Sequence, residues 1–350
     1  MTERRPRVVV ATPLSPELCD LIVRAEPRID LVCDQTLLPP MRHPADFEGD
    51  PGFTRSPTEQ RAFDDLVDSA DVLYGIPDVK PGALHRTVNA NPKLRWVHVM
   101  AAGGGGQVRA AGLTPTQLDR IVFTTSNGVH GAPLAEFAVF GVLAGAKRLD
   151  RLRRDQVAHR WPERWMMRQV SEQTVLVLGL GGIGAHVVAK LTALGATVIG
   201  VSRHPIDLPG VDRIVSPDDL ADVVGDVDAI VTSLPGTDST ARLIGAEVLE
   251  RVKPGVTIVN VGRGTVVDEP ALISALRDGR VGFAALDVVA EEPLSPESAL
   301  WDAPNVLLSP HTAALSDTED RLIAELFAAN ATRYIDGAPL LNRVNTVEFY

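Results

Sequence analysis

Cysteine is scarce: only Cys19 and Cys33 occur in 350 residues, too few for a disulfide framework. Long hydrophobic runs are missing too, and no uninterrupted apolar stretch reaches the length of a membrane-spanning helix. Behind the charged N-terminus comes only Val8-Val9-Val10-Ala11, which reads as a strand and not as a signal-peptide core. Basic charge is in deficit. The 34 lysines and arginines face 45 acidic residues, and the net charge of −11 argues against a general nucleic-acid binder. What remains is globular: 45 % hydrophobic, 23 % charged, mean hydropathy +0.07, which excludes wholesale disorder. The expectation is a soluble cytoplasmic protein without nucleic-acid partner, membrane or metal site. Its length exceeds what one core usually carries, so two domains are expected.

Short β-rich runs alternate with helical segments almost throughout. After the strand at 8–11, Ser15-Pro16 opens a helix, serine as N-cap and proline at the first position, with Leu18, Leu21, Ile22 and Ala25 on one face. Strands at 29–32, 72–74 and 96–99 continue the series. A second run begins near residue 172 with six strands, at 175–178, 198–201, 229–232, 258–261, 284–287 and 306–308. This alternation implies an α/β fold of doubly wound parallel sheets with helices on both faces.

Four segments stand out from that pattern. Residues 34–58 carry five prolines and read either as a lid or partner-contacting flap or as a surface insertion without a role. Residues 133–149 are apolar nearly all round, so that helix needs cover from a domain or a subunit. Residues 147–168 hold a local balance of +5, read as an anion-attracting patch or as a solvated arm at a subunit interface anchored by Trp161 and Trp165. Ser316 and Glu319 fit a capping box before the last helix, whose apolar face would be Leu322, Ile323, Leu326 and Phe327.

Gly179-Leu180-Gly181-Gly182-Ile183-Gly184 follows an apolar strand directly and opens a helix, within a unit of about thirty residues, as a dinucleotide fingerprint requires. Gly179 permits the tight turn, Gly181 lets backbone approach a pyrophosphate, and Gly184 lets helix and strand pack closely. The free N–H groups and positive helix end would hold the phosphates. A methyltransferase also uses a glycine-rich turn after its first strand. Ligands of such sheets sit at the carboxyl ends of the strands, and there Arg263, Asp287, Glu292 and His311 follow successive strands. That set has no role in a methyltransferase.

With these residues the chain resembles the D-isomer-specific 2-hydroxyacid dehydrogenases. The matching stretches are 175–184, 260–269, 286–288 through Glu292-Pro293-Leu294, Ser309-Pro310-His311, and 127–131 leading to Ala135-Glu136. The resemblance implies a nicotinamide-dependent oxidoreductase interconverting a small 2-oxo acid and its D-2-hydroxy acid. It implies a Rossmann domain at 127–315 and a flavodoxin-like substrate domain at 1–126 completed by 316–350, with a cleft that closes on ligand. Arg263 would bind the substrate carboxylate and polarise the keto oxygen, His311 would exchange the proton, and Glu292 would orient the imidazole and favour its charged form. Cofactor contacts would come from Gly179, Gly181, Gly182, Ile183, Gly184, Ser202, Arg203, Leu234, Pro235, Val261 and Asp287, the last at the carboxamide. Ala102, Gly103 and Gly104 would offer backbone N–H groups to substrate.

The second Rossmann strand runs into Ser202-Arg203-His204, with no carboxylate before Asp207. Donors and positive charge there suit a 2′-phosphate, so NADP(H) is preferred, with NAD(H) admitted if Arg203 merely stacks on adenine. The apolar helix and the arginine-rich arm favour a homodimer. Glu292 argues against formate dehydrogenase, whose branch lacks the paired glutamate. A nicotinamide-sensing, corepressor-like regulator would keep the triad with little turnover.

Overall fold

Residues 4–349 are described by the computed structural model, so positions 1–3 and 350 of the expected domain ranges lie outside the described residues. The chain divides into two units: one runs through His130 and resumes at Leu315, and the other is Gly131–Ala314.

The first unit is built on β1 (Arg7–Val10), β2 (Asp30–Val32), β3 (Val72–Tyr74), β4 (Trp96–Val99) and β5 (Val122–Thr125). All pair in parallel in the order β2-β1-β3-β4-β5, the flavodoxin-like winding. Around them stand α1 (Pro16–Ala25), α2 (Pro57–Asp68), α3 (Pro81–Ala90), α4 (Gly105–Ala110) and α5 (Pro115–Arg120). Ser15 caps α1 by accepting the Leu18 N–H at 3.4 Å. β5 extends the four strands expected from sequence. Its short, hydroxyl-rich run is a strand because β4 pairs along it and Arg343 bridges Thr124.

The closing helix (Glu319–Ile335) returns to this unit and packs on α1. It corrects two expectations. Its buried face is Ile323, Ala324, Phe327, Ala328 and Ala331, while Leu322 is exposed. No capping box forms at Ser316, because the Glu319 carboxylate lies 2.7 Å from His130 Nε2 instead. Capping boxes do form at Ser56–Glu59 and Thr114–Gln117. Residues 34–58 are pinned down: Leu37 and Leu38 enter the core, Arg42 pairs with buried Asp46, and the Ala45 N–H donates to Asp320.

In the second unit, α6 (Gly131–Ala146) and α7 (Leu149–Val157) precede the sheet. Its strands are β6 (Thr174–Leu178), β7 (Thr197–Val201), β8 (Arg213–Val215), β9 (Ala229–Thr232), β10 (Val256–Asn260), β11 (Val281–Leu286) and β12 (Val306–Leu308). The helices α8 (Gly182–Ala193), α9 (Leu220–Val223), α10 (Ala246–Arg251) and α11 (Glu269–Arg277) alternate with them. The parallel order β12-β11-β10-β9-β6-β7-β8 is the Rossmann winding with one strand added at the β12 edge. Seven strands replace the six expected: β8 is three residues long, half-exposed, and detectable only by its register, Gly200 against Ile214. The central strands are Val-, Ile- and Ala-rich and buried on both faces, as parallel sheets demand.

The apolar helix also differs from expectation. It stops at Ala146, because Arg148 takes a left-handed conformation before α7. One face of α6 packs on α8, β10 and β11, and Phe140 is exposed on the other.

Candidate active site

β10, β11 and β12 end side by side at the carboxyl edge of the second sheet, and a reactive side chain follows each. At the end of β10, the Asn260 amide accepts the Gly262 N–H and donates to the Arg263 carbonyl, both at 3.0 Å. A side chain at Gly262 would press on the backbone of Ser233 and Leu234. The turn leaves Arg263 exposed, its guanidinium donating to the Gly262 carbonyl at 2.8 Å. No carboxylate pairs with it among the described residues.

Asp287, 1 % exposed at the end of β11, organises the next turn. Its Oδ1 accepts from Ser309 Oγ at 2.7 Å and from the Thr312 and Ala313 N–H groups at 3.0 Å. Its carbonyl accepts the His311 N–H at 2.8 Å. These bonds hold His311 at φ +53°, where residues other than glycine are uncommon. Asp287 Oδ2 is buried and has no partner among the described residues.

His311 Nδ1 lies 2.7 Å from Glu292 Oε2, and Glu292 Oε1 accepts the Val289 N–H at 3.2 Å. Both side chains are partly exposed, and the ring's Nε2 has no partner among the described residues. A Cβ on Gly264 would collide with the Val289–Ala290 backbone, so the Arg263 and Glu292 turns touch.

The glycine loop lies at the same edge. Gly179 sits at φ +90° after β6, and Gly184 packs so closely that a Cβ would strike the Gly179 carbonyl. Gly181 is the N-cap of α8, and a Cβ there would meet open space. Gly182 is exposed and Ile183 packs against the core. Ser233 Oγ donates to the Gly179 carbonyl at 3.0 Å, tying the loop after β6 to Leu234 and Pro235 after β9. Val261 is a core residue, so only its backbone borders the edge.

At the end of β7, the Ser202 hydroxyl donates to the His204 carbonyl at 2.8 Å and accepts its N–H at 3.2 Å, while Arg203 is exposed. In the first unit, the Gly104 N–H donates to the Ala101 carbonyl, and those of Ala102 and Gly103 find no acceptor among the described residues.

Sequence reasoning assigned no role to Ser233, Asn260 or Ser309, the side chains that set these turns. The signal was present: short hydrogen-bonding residues stand at or immediately after strand ends.

Residues 139–313 match the family model described as D-isomer specific 2-hydroxyacid dehydrogenase, NAD binding domain. The glyoxylate reductase of Aeropyrum pernix is 34 % identical over 266 residues, covering 73 % of this chain and 77 % of that protein. The chain belongs to the D-isomer-specific 2-hydroxyacid dehydrogenase family. Another member, the D-3-phosphoglycerate dehydrogenase of Archaeoglobus fulgidus, is 32 % identical over 230 residues, which cover 64 % of this chain. The chain spans 43 % of that protein's length and 59 % of a matching Corynebacterium melassecola protein. Among family structures, the Xanthobacter autotrophicus Py2 enzyme in complex with NADPH and MES superposes with a TM-score of 0.77 at 29 % identity, covering 99 % of this chain and 100 % of that one.

Proposed function

We propose that the protein is an NAD(P)-dependent oxidoreductase that interconverts a small 2-oxo acid and its D-2-hydroxy acid. The observation that carries this reading is the 2.7 Å contact of His311 with Glu292 at the strand edge that also holds the glycine loop and the unpaired Arg263. The nicotinamide group, when bound, supplies or accepts the hydride. The residues present fit it: open space at Gly181, the exposed start of α8 for the pyrophosphate, and the orphaned Oδ2 of Asp287 for the carboxamide N–H. Arg263 binds the substrate carboxylate through its planar fork and polarises the keto oxygen. His311 gives a proton to that oxygen during reduction and removes it during oxidation. Glu292 holds the ring's orientation.

Ser202 and Arg203 favour NADPH, since a hydroxyl and a guanidinium suit a 2′-phosphate; the Xanthobacter relative's complex with NADPH supports this preference. The exposed Phe140, Trp161 and Met166 support a homodimer. A panel of 2-oxo acids assayed with both reduced cofactors tests the whole reading. Turnover is expected, with kcat/KM higher for NADPH, and Ser202→Asp shifts preference toward NADH. Tight cofactor binding with no turnover on any 2-oxo acid would refute the enzyme assignment. Higher kcat/KM with NADH would refute only the reading of the corner.

A further inference from the structure

Glu269 opens α11, in the same connection that carries Arg263. An acidic side chain in a helix's first turn is ordinarily explained by the helix dipole. This one reaches away from its helix. Its Oε1 accepts the Ala290 N–H at 2.5 Å, 21 residues onward. Ala290 is exposed, in the turn that leads from Asp287 to Glu292. Few bonds hold that turn from outside. Among the described residues, hydrogen bonds leave segment 288–303 at two points: Ala290 to Glu269, and Glu292 to His311. Two successive N–H groups thus go to two carboxylates, that of Val289 to Glu292 and that of Ala290 to Glu269. The Val289–Ala290 backbone also rests on Gly264, where a Cβ would collide with it.

The Glu269 end of the bond is the firm one. Asp268 caps α11 by accepting the Ala271 N–H at 3.1 Å, and its own N–H donates to the Ile244 carbonyl at 3.1 Å. Leu272, Ala275 and Leu276 bury one face of the helix. We infer that Glu269 is a positioning residue that holds the Glu292 turn, and through it the His311 ring, in register with the Arg263 turn. The inference rests on the proposed oxidoreductase activity. Glu269 touches no reacting atom and acts through Glu292. Without it, buried Val288 and Leu300 still anchor the segment, but the Glu292 carboxylate between them is free to leave the imidazole. Arg263 and the glycine loop stay in place. The signature is therefore a fall in kcat with substrate KM and cofactor affinity preserved.

The test compares variants of the full-length protein by steady-state kinetics on the best 2-oxo acid and by cofactor titration. Glu269→Ala should lower kcat about 10–100-fold, the scale of a small misplacement, with KM and cofactor Kd unchanged. Glu269→Gln keeps an acceptor at the same reach and should retain most of kcat. Glu269→Asp keeps the charge at the helix start but is one methylene short, and should fall like Glu269→Ala. In a Glu292→Ala background, Glu269→Ala should cost little more, since no carboxylate remains to position. Unchanged kcat in Glu269→Ala, a full additive loss in the double variant, or an active Glu269→Asp beside an inactive Glu269→Gln would each overturn the inference. Amide exchange reads the bond without turnover: Ala290 should exchange slowly in the unaltered protein and in Glu269→Gln, and fast in Glu269→Ala. Fast exchange in the unaltered protein would overturn the brace itself. Slow exchange with no turnover of any 2-oxo acid would instead defeat the proposed activity, and the catalytic role of the brace with it.

Discussion

His311 illustrates how much of a reactive side chain's behaviour is set by its neighbours. Its backbone hangs from the Asp287 carbonyl and its ring from Glu292. His311→Ala is expected to lower kcat about 10²–10⁴-fold with folding intact, the scale of a lost general acid. Glu292→Gln should give a smaller loss, since the ring remains but its orienting carboxylate is gone. Steady-state kinetics on the best 2-oxo acid checks both, and unchanged turnover in His311→Ala refutes the assignment. His98 shows the opposite use of the same residue type. On β4 it is fully buried, between Thr124 Oγ1 at 2.9 Å and Ser126 Oγ at 3.2 Å, and burial pushes it down to about 3. The unfolded chain's histidine titrates near ~6.5. Between those values the unfolded state holds the extra proton, so stability falls as pH falls, by up to about 1.4 kcal/mol per unit. Urea midpoints measured from pH 7 to pH 4 should decline, and His98→Gln should flatten the decline by one proton. An identical slope in the variant would exclude this cause.

At the scale of elements, α6 shows why an apolar sequence does not by itself reveal what covers it. Its close approach to the sheet depends on Gly141 and Gly145: a Cβ at Gly141 would stand 2.8 Å from Val259 Cγ2 and 2.9 Å from Ala285 Cβ, and one at Gly145 would strike Thr257. Gly141→Val should therefore overpack this layer and cost about 1–3 kcal/mol, read as a lower urea midpoint. Phe140→Ser, on the exposed face of the same helix, should leave that midpoint nearly unchanged in the isolated chain. The proline-rich segment 34–58 is tied down in a way that composition could not show. Its bonds run to partners distant in sequence, such as Arg55 to Asp78 at 2.8 Å and Ala45 to Asp320 at 2.6 Å.

At the scale of the whole molecule, the arm after α6 pairs most of its charges within itself. Asp150 pairs with Arg148 and Arg154, Asp155 with Arg151 and Arg160, and Arg151 stacks on Trp165 at 4.0 Å. Trp161, Met166 and Val157 are exposed beside it. Light scattering at micromolar concentration is expected to return about twice 37.5 kDa, and Trp161→Glu to shift the mass toward one chain. A single-chain mass for the unaltered protein would defeat the dimer.

The sequence by itself determined the α/β class, the winding of its long strands and the order of Arg263, Glu292 and His311. Strand–glycine–helix patterns and residues placed just after strands are local features, visible in consecutive letters. Tertiary structure decided the rest. β5 and β8 are strands because a neighbour pairs with them, and Glu319 forgoes its cap because His130 lies 2.7 Å away. Asp287 became the organiser of the His311 turn through four bonds to residues 22 or more positions onward. Hydrogen bonds and packing of that reach are set by the fold, since residues far apart in the chain meet only once the sheet has formed.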